Sequence, residues 1–205
     1  MLVKLSRTSK MPCKSWSLEA RTTCPGSVDP KTKAVWPVCQ SCYATKGFYH
    51  MPNTKKQREF NRDHWVVDGW IDEMVASIGT DEYFRWFDSG DIYTPRLAKK
   101  IYSVVRLTPN TKHWIPTKSW DIPKIRKWLD LLNGLSNCVV RFSNKEIDDT
   151  CFEMTHYWSA VTTHKNFSTP FPNIKGCPAY TQEGKCGDCR ACWDKNVDLI
   201  VYPLH

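Results

Sequence analysis

No run of eighteen apolar residues occurs in the 205-residue chain, so no helix is expected to cross a bilayer. The first residues, Met1-Leu-Val-Lys-Leu-Ser-Arg7, lack the apolar stretch of a secretory signal. A cytoplasmic location is therefore expected. The histidines, His50, His64, His113, His156, His164 and His205, form neither H-E-x-x-H nor H-x-x-x-H, so no zincin is expected. His64 and His113 fall in helix and strand patterns, where a packed, satisfied ring is the plain expectation. A phosphate-binding G-x-x-x-x-G-K-[S/T] and a nucleophile elbow G-x-S-x-G are also missing. Acidic residues are outnumbered 21 to 29 by lysine and arginine, a formal net charge of +8. That balance points to an anionic partner, but bound thiolates would offset it.

Cysteine and tryptophan, by contrast, are abundant, ten of each. In a reducing compartment so many thiols read as metal ligands before disulfides. The densest stretch is Cys177-Pro-Ala-Tyr-Thr-Gln-Glu-Gly-Lys-Cys186-Gly-Asp-Cys189-Arg-Ala-Cys192. Structural zinc sites use two separated C-x2-C pairs. The overlapping C-x2-C-x2-C found here is instead the run that wraps a corner of a [4Fe-4S] cube, with one more cysteine from a distance. Cys177, followed by Pro178, is the candidate fourth ligand beside Cys186, Cys189 and Cys192. Zinc is the next alternative, and disulfides or free thiols the last.

A second set, Cys24, Cys39 and Cys42, lies in an irregular N-terminal stretch. Three thiolates would leave one iron open to a substrate or cofactor. With Cys13 they would close a structural zinc or iron–sulfur site. Merged with the C-terminal set, they would clamp one cluster between the chain's two ends. Cys138 and Cys151 are expected to be ordinary buried thiols. Most tryptophans are expected to pack in the core.

From Lys55 to Ile78, apolar residues recur at helical spacing up to Gly79. A strand over 83–87 runs into Asp88-Ser89-Gly90-Asp91. Thr94-Pro95 caps and opens a helix. The cycle repeats with strand 113–115, the turn Pro116-Thr117-Lys118-Ser119, a cap at Asp121 and another helix. A third strand, 138–142, leads into Ser143-Asn144-Lys145. Further strands are expected over 157–163 and 197–202. Alternating strands and helices predict an α/β fold with a parallel sheet. Three clear units are too few for a full eight-fold barrel, so a partial or compressed (β/α) TIM-like barrel is expected, with irregular cysteine-bearing N- and C-terminal segments. One domain, 1–205, would comprise N-terminal cysteine loops (1–50), a βα core (51–165) and a cluster-binding segment (166–205). Polar turns after successive strands describe a pocket rim, with Asp88, Ser89, Asp91, Thr117 and Lys118 as pocket candidates. Each turn taken alone reads as a solvated loop.

Met11-Pro-Cys-Lys-Ser-Trp-Ser-Leu18, Thr23-Cys-Pro-Gly26, Cys39-x2-Cys42-Tyr-Ala44, Arg85-Trp-Phe-Asp-Ser-Gly-Asp91 and the terminal cysteine run together resemble the bacteriophage "gene product 88" family, essentially end to end. The resemblance implies a phage-encoded protein made in the host cytoplasm. A more distant likeness is to radical S-adenosylmethionine enzymes. These place three cysteines, ending C-x2-C and an aromatic residue, before a helix of a partial barrel. An acidic, glycine-containing turn after their next strand holds the cofactor's methionine part. Cys39-x2-Cys42-Tyr43 and Asp88-Ser89-Gly90-Asp91 look like that layout, although Cys24 lies fifteen residues before Cys39 where the family has C-x3-C-x2-C.

Two functions follow as expectations. One is a redox or radical-type enzyme of oxidoreductase or lyase type. It would carry one or two [4Fe-4S] clusters at the mouth of the barrel, S-adenosylmethionine as a candidate cofactor and a host electron donor. The other is a non-enzymatic iron–sulfur or zinc protein, an electron carrier or a module acting on host nucleic acid or protein. Nucleic acid would meet Lys4, Arg7, Lys10, Lys14 and Arg21 near Trp16, unless these form only a solvated basic loop.

Overall fold

The structure, a computed structural model, describes residues 3–149, 153, 155–164 and 167–204. Its strands are β1 (Ser6–Arg7), β2 (Lys14–Trp16), β3 (Tyr83–Trp86), β4 (Lys112–Thr117), β5 (Cys138–Ile147), β6 (Tyr157–Thr162), β7 (Ile174–Gly176) and β8 (Leu199–Pro203). Among the described residues, five α-helices accompany them: α1 (Pro37–Gln40), α2 (Pro52–His64), α3 (Trp70–Ile78), α4 (Pro95–Leu107) and α5 (Pro123–Asn133). The strands form one sheet in the order β1-β2-β3-β4-β5-β6-β8-β7. Every pair is parallel except β1 with β2. The α/β expectation with a parallel sheet is met.

Side chains alternate across the sheet, as strand geometry requires, and the two faces have different partners. Phe84 and Trp86 of β3, Ile115 of β4, Val140 and Phe142 of β5 and Leu199 and Val201 of β8 point to the helix side. There they join Met74, Leu97, Ile101, Leu129 and others in the main core. The intervening residues Tyr83 and Trp114 face the opposite way and pack with Met11, Cys13, Trp193, Cys186 and Cys192. The C-terminal cysteine segment thus covers the face that the helices leave open. Trp16, Trp70 and Trp86 are wholly buried and meet edge-on or tilted, as the expected packing role implies.

Several local expectations hold. Gly79 ends α3 at φ +60°, and Thr94 Oγ1 accepts from Leu97 N at 3.2 Å to cap α4. Cys138 is fully buried, whereas Cys151 lies outside the described residues. Strands stand at 157–162 and 199–203.

Others need correction. The helix expected over 55–78 is two helices, because the chain turns between His64 and Trp70. Lys100 Nζ donates to Trp65 O at 3.0 Å and to Val67 O at 2.6 Å, occupying carbonyls that a continuing helix would have used. Asp121 does not cap α5. That helix opens with Pro123 at its first position after Ile122, without a side-chain cap, and Asp121 accepts instead from Lys145 Nζ at 2.5 Å. The expected turn at Ser143-Asn144-Lys145 is strand, since β5 runs on to Ile147 and pairs irregularly with β6. In the N-terminal stretch, Lys14–Trp16 is a strand beside β3; three residues are too few for a periodicity to register. Trp16 is in the core and offers no stacking face to a nucleic acid.

Candidate metal and ligand site

Parallel pairing brings the carboxyl ends of β2 to β8 to one edge of the sheet. The segments leaving those ends surround a cavity of about 480 Å³. After β2 come Ala20, Arg21 and the three cysteines Cys24, Cys39 and Cys42. After β3 come Phe87 to Asp91, and after β4 Thr117 and Lys118. Ser143, Ser159 and Val161 follow on β5 and β6, and Cys177 follows β7. Cys186 and Cys192 complete the wall on the C-terminal side. Six of the seven cysteines singled out as metal ligands therefore line one cavity. Cys189 is half-buried outside it.

The fourteen residues between Cys24 and Cys39 are a folded-back excursion. Val28 bridges Val35 in antiparallel fashion, and Trp36 N donates to Ser27 O at 3.0 Å. The long spacing in sequence thus closes to a short one in space, and Cys24, Cys39 and Cys42 lie within electrostatic range of one another. Gly26 seats this loop on the sheet edge: a Cβ there would stand 2.1 Å from Lys118 O, so no larger residue fits. Arg21 Nη2 donates to Cys39 O at 2.9 Å. Burial pushes the Cys24 thiol up to about 12 and raises Cys39 as well, with the nearby Lys118 charge opposing.

The C-terminal thiols form the other group. Cys186 lies in range of Cys177 and Cys189, and Cys192 in range of Cys177 and Cys186. Arg141, fully buried on β5, holds this loop by donating to Ala191 O (2.8 Å), Cys192 O (3.1 Å), Asp194 O (3.0 Å) and Val197 O (2.8 Å). Cys186 N donates to Lys10 O at 2.8 Å and Cys177 N to Val201 O at 2.8 Å, so both ends of the chain share the wall. Burial pushes Cys192 up to about 11, with the Arg141 charge and the Tyr202 hydroxyl opposing. Cys13 packs beside Cys186 and Cys192. It stands with the C-terminal group, not with Cys24, Cys39 and Cys42, which one alternative would have it join.

The acidic turn is built into the scaffold. Asp88 accepts from Ser17 Oγ and pairs with Arg58 at 3.6 Å. Ser89 Oγ donates to Leu18 O at 2.6 Å and accepts from Arg58 Nε. Gly90 has φ +76°, and a Cβ there would meet Leu18 Cβ at 2.6 Å. Asp91 accepts from Thr117 Oγ1 (2.6 Å), Lys118 N (2.8 Å) and Ile92 N (2.6 Å); burial nonetheless raises its carboxyl above the usual range. Lys118 is partly exposed at the wall, whereas Lys145 lies over the Trp36 and Trp120 rings and away from the cavity.

Arg85, Tyr43 and Arg141 were not singled out in the sequence as site residues. Inward-facing basic residues on two predicted strands were the available signal. Tyr43 Oη donates to Asp88 O at 2.7 Å and accepts from Arg85 Nη2 at 3.2 Å.

Among the described residues, no group of three or more His, Cys, Asp or Glu side chains is close enough to hold a single metal ion. A mononuclear zinc site needs sulfurs about 4 Å apart, from bonds of about 2.3 Å, whereas an iron–sulfur cube takes one thiolate at each of four separate corners. Lys10, Arg21, Arg85 and Lys118 stand around the cavity, so an anion bound there meets positive charge.

A family model described as Gene product 88 matches residues 2–195. No curated protein and no solved structure matches the chain.

Proposed function

We propose that this chain, which belongs to the phage gene product 88 family, is an iron–sulfur redox enzyme working in the cavity at the mouth of a partial βα barrel. The observation that carries the reading is the placement of two thiol groups on one 480 Å³ cavity, Cys24, Cys39 and Cys42 from one side and Cys177, Cys186 and Cys192 from the other. The N-terminal three would hold a [4Fe-4S] cluster with one iron open to the cavity. The C-terminal four, with Cys189, would hold a second, fully ligated cluster. Bound there, such clusters supply one-electron chemistry and an open coordination position.

The chain's own residues do the rest. Arg141 and the Lys10 carbonyl fix the C-terminal loop, and Gly26 and Arg21 fix the N-terminal one. Thr117 and the Lys118 amide hold Asp91, and Ser17 and Arg58 hold Asp88, so the floor is set before any ligand enters. Aromatic walls from Tyr43, Tyr49, Trp114 and Tyr202 exclude water from the reacting centre. S-adenosylmethionine is the first co-substrate to test, against the Asp88–Asp91 turn.

A second reading, an electron carrier or binding module, draws on the position of Cys189 outside the cavity and partly exposed, where a host electron donor could reach it. Iron, sulfide and zinc quantification on anaerobically purified protein separates the two. Electron paramagnetic resonance of the reduced form, with and without S-adenosylmethionine, completes the test. Iron and sulfide with a spectrum that shifts on adding S-adenosylmethionine support the enzyme. Iron and sulfide with an unchanged spectrum support the carrier. Zinc without sulfide rejects both redox readings.

A further inference from the structure

Arg85 reaches the cavity from the face of the sheet opposite the helices. Its Nη1 donates to Met11 Sδ at 3.4 Å and its Nη2 to Tyr43 Oη at 3.2 Å. The guanidinium carbon lies 4.6 Å from the centre of the Trp114 ring. Its Nε is buried without a hydrogen-bond partner. A thioether, a phenol and an indole face carry no charge at neutral pH. Asp88, the acid whose charge acts on Arg85, is already paired with Arg58. Arg58, which does not line the cavity, thus takes up the Asp88 carboxylate, and Arg85 stands at the wall. Arg85 is half-buried there, and a cation held partly out of water is stabilised by an oxyanion beside it.

We propose that Arg85 anchors the carboxylate or phosphate of a flat organic anion whose apolar body lies against Trp114, Tyr49 and Tyr202. Guanidinium presents a planar fork that matches an oxyanion in bidentate fashion. The Trp114 ring covers the guanidinium, and the exposed Nη2 keeps a second N–H, beyond the one given to Tyr43, for the ligand. The cavity, at about 480 Å³, falls in the size range of small-molecule sites, roughly 300–1,000 Å³, and aromatic side chains wall it. The inference rests on this cavity being the substrate site, but not on the presence of clusters.

The test is a titration of the purified full-length protein with benzoate, phenyl phosphate and neutral benzamide, followed by calorimetry and tryptophan fluorescence. Arg85→Gln, Arg85→Lys and the exposed charge control Lys99→Gln are titrated alongside. A fragment of this size should bind in about the millimolar range. Benzoate or phenyl phosphate should bind at least about tenfold tighter than benzamide, and whichever is tighter names the headgroup. Arg85→Gln should lose about tenfold or more for that anion, Arg85→Lys less, and Lys99→Gln nothing. Equal binding of benzoate, phenyl phosphate and benzamide by the unaltered protein overturns the proposal and needs no variant to fold. Equal losses in Arg85→Gln and Lys99→Gln overturn it too, since they would report net charge alone. If Arg85→Gln loses iron but keeps anion affinity, Arg85 serves a cluster and the proposal fails. Arg85-dependent benzoate binding by protein without iron keeps the anchor and rejects the clusters. Iron-loaded protein that does not distinguish benzoate from benzamide rejects the anchor and leaves the clusters standing.

Discussion

The indole nitrogen of Trp86 donates to Nδ1 of His113 at 3.2 Å. An indole N–H can only donate, so Nδ1 must carry a lone pair. The ring's proton then sits on Nε2, which reaches Thr108 Oγ1 at 2.8 Å, and that hydroxyl donates onward to Val104 O. His113 is a neutral packing residue, wholly buried, and burial lowers its pKa to about 3.

This relationship makes stability depend on pH with a definite sign. The unfolded ring takes up its proton near pH 6.5 and the folded ring only near 3. The stability tied to a neutral His113 is therefore complete above pH 6.5 and lost as pH falls, at up to about 1.4 kcal/mol per pH unit. Urea unfolding between pH 7.5 and 4.5 should show the midpoint of the natural protein dropping more steeply than that of His113→Gln. Parallel curves would mean that the folded ring accepts a proton after all.

Gly90 and Gly47 both have positive φ, +76° and +55°, but only Gly90 has a neighbour in the way. Gly47→Ala should cost about 1 kcal/mol from backbone strain alone. Gly90→Ala adds the clash with Leu18 and should cost roughly 2–4 kcal/mol, read as a shift in urea midpoint. Similar losses for the two would show that the segment around Leu18 yields.

Arg141 bonds four carbonyls of the C-terminal cysteine segment. Arg141→Met keeps the volume and orphans those acceptors, at about 1 kcal/mol each and roughly 2–4 kcal/mol in all. Because the same carbonyls position Cys192, bound iron per chain should fall along with stability. Stability lost with iron retained would separate loop pinning from metal binding.

Cysteines 138 and 189 give opposite expectations. Cys138 is buried against the helices, so Cys138→Ser should cost about 1–2 kcal/mol by burying a hydroxyl and leave iron content unchanged. Cys189→Ser should lose iron and sulfide, because a missing ligand leaves the loop without its core. Iron unchanged in Cys189→Ser would remove the C-terminal assignment.

Much of the fold was legible because its signals are local. Thr94-Pro95 and Gly79 carry their own cap chemistry, and the apolar runs at 83–87, 113–115 and 138–142 mark strands that the structure places at 83–86, 112–117 and 138–147. The split at Trp65 was not legible, since it depends on Lys100, which lies more than thirty residues away in sequence. Nor was the end of β5, where β6 supplies the pairing that turns a polar segment into strand.

For the site, the sequence by itself determined the candidates: which cysteines recur at close spacing, and which polar turns follow strands. Only the tertiary structure decided their grouping. Parallel pairing carried Cys24, Asp91, Lys118 and Cys177 to one edge, a folded-back loop closed the distance from Cys24 to Cys39, and Cys13 fell in with Cys186. It also turned Asp88 and Ser89 toward Arg58 and left Arg85 facing the cavity. Spacing fixes what one short segment can wrap around, while the neighbours of that segment depend on which strands pair, a choice made by the whole hydrophobic core at once.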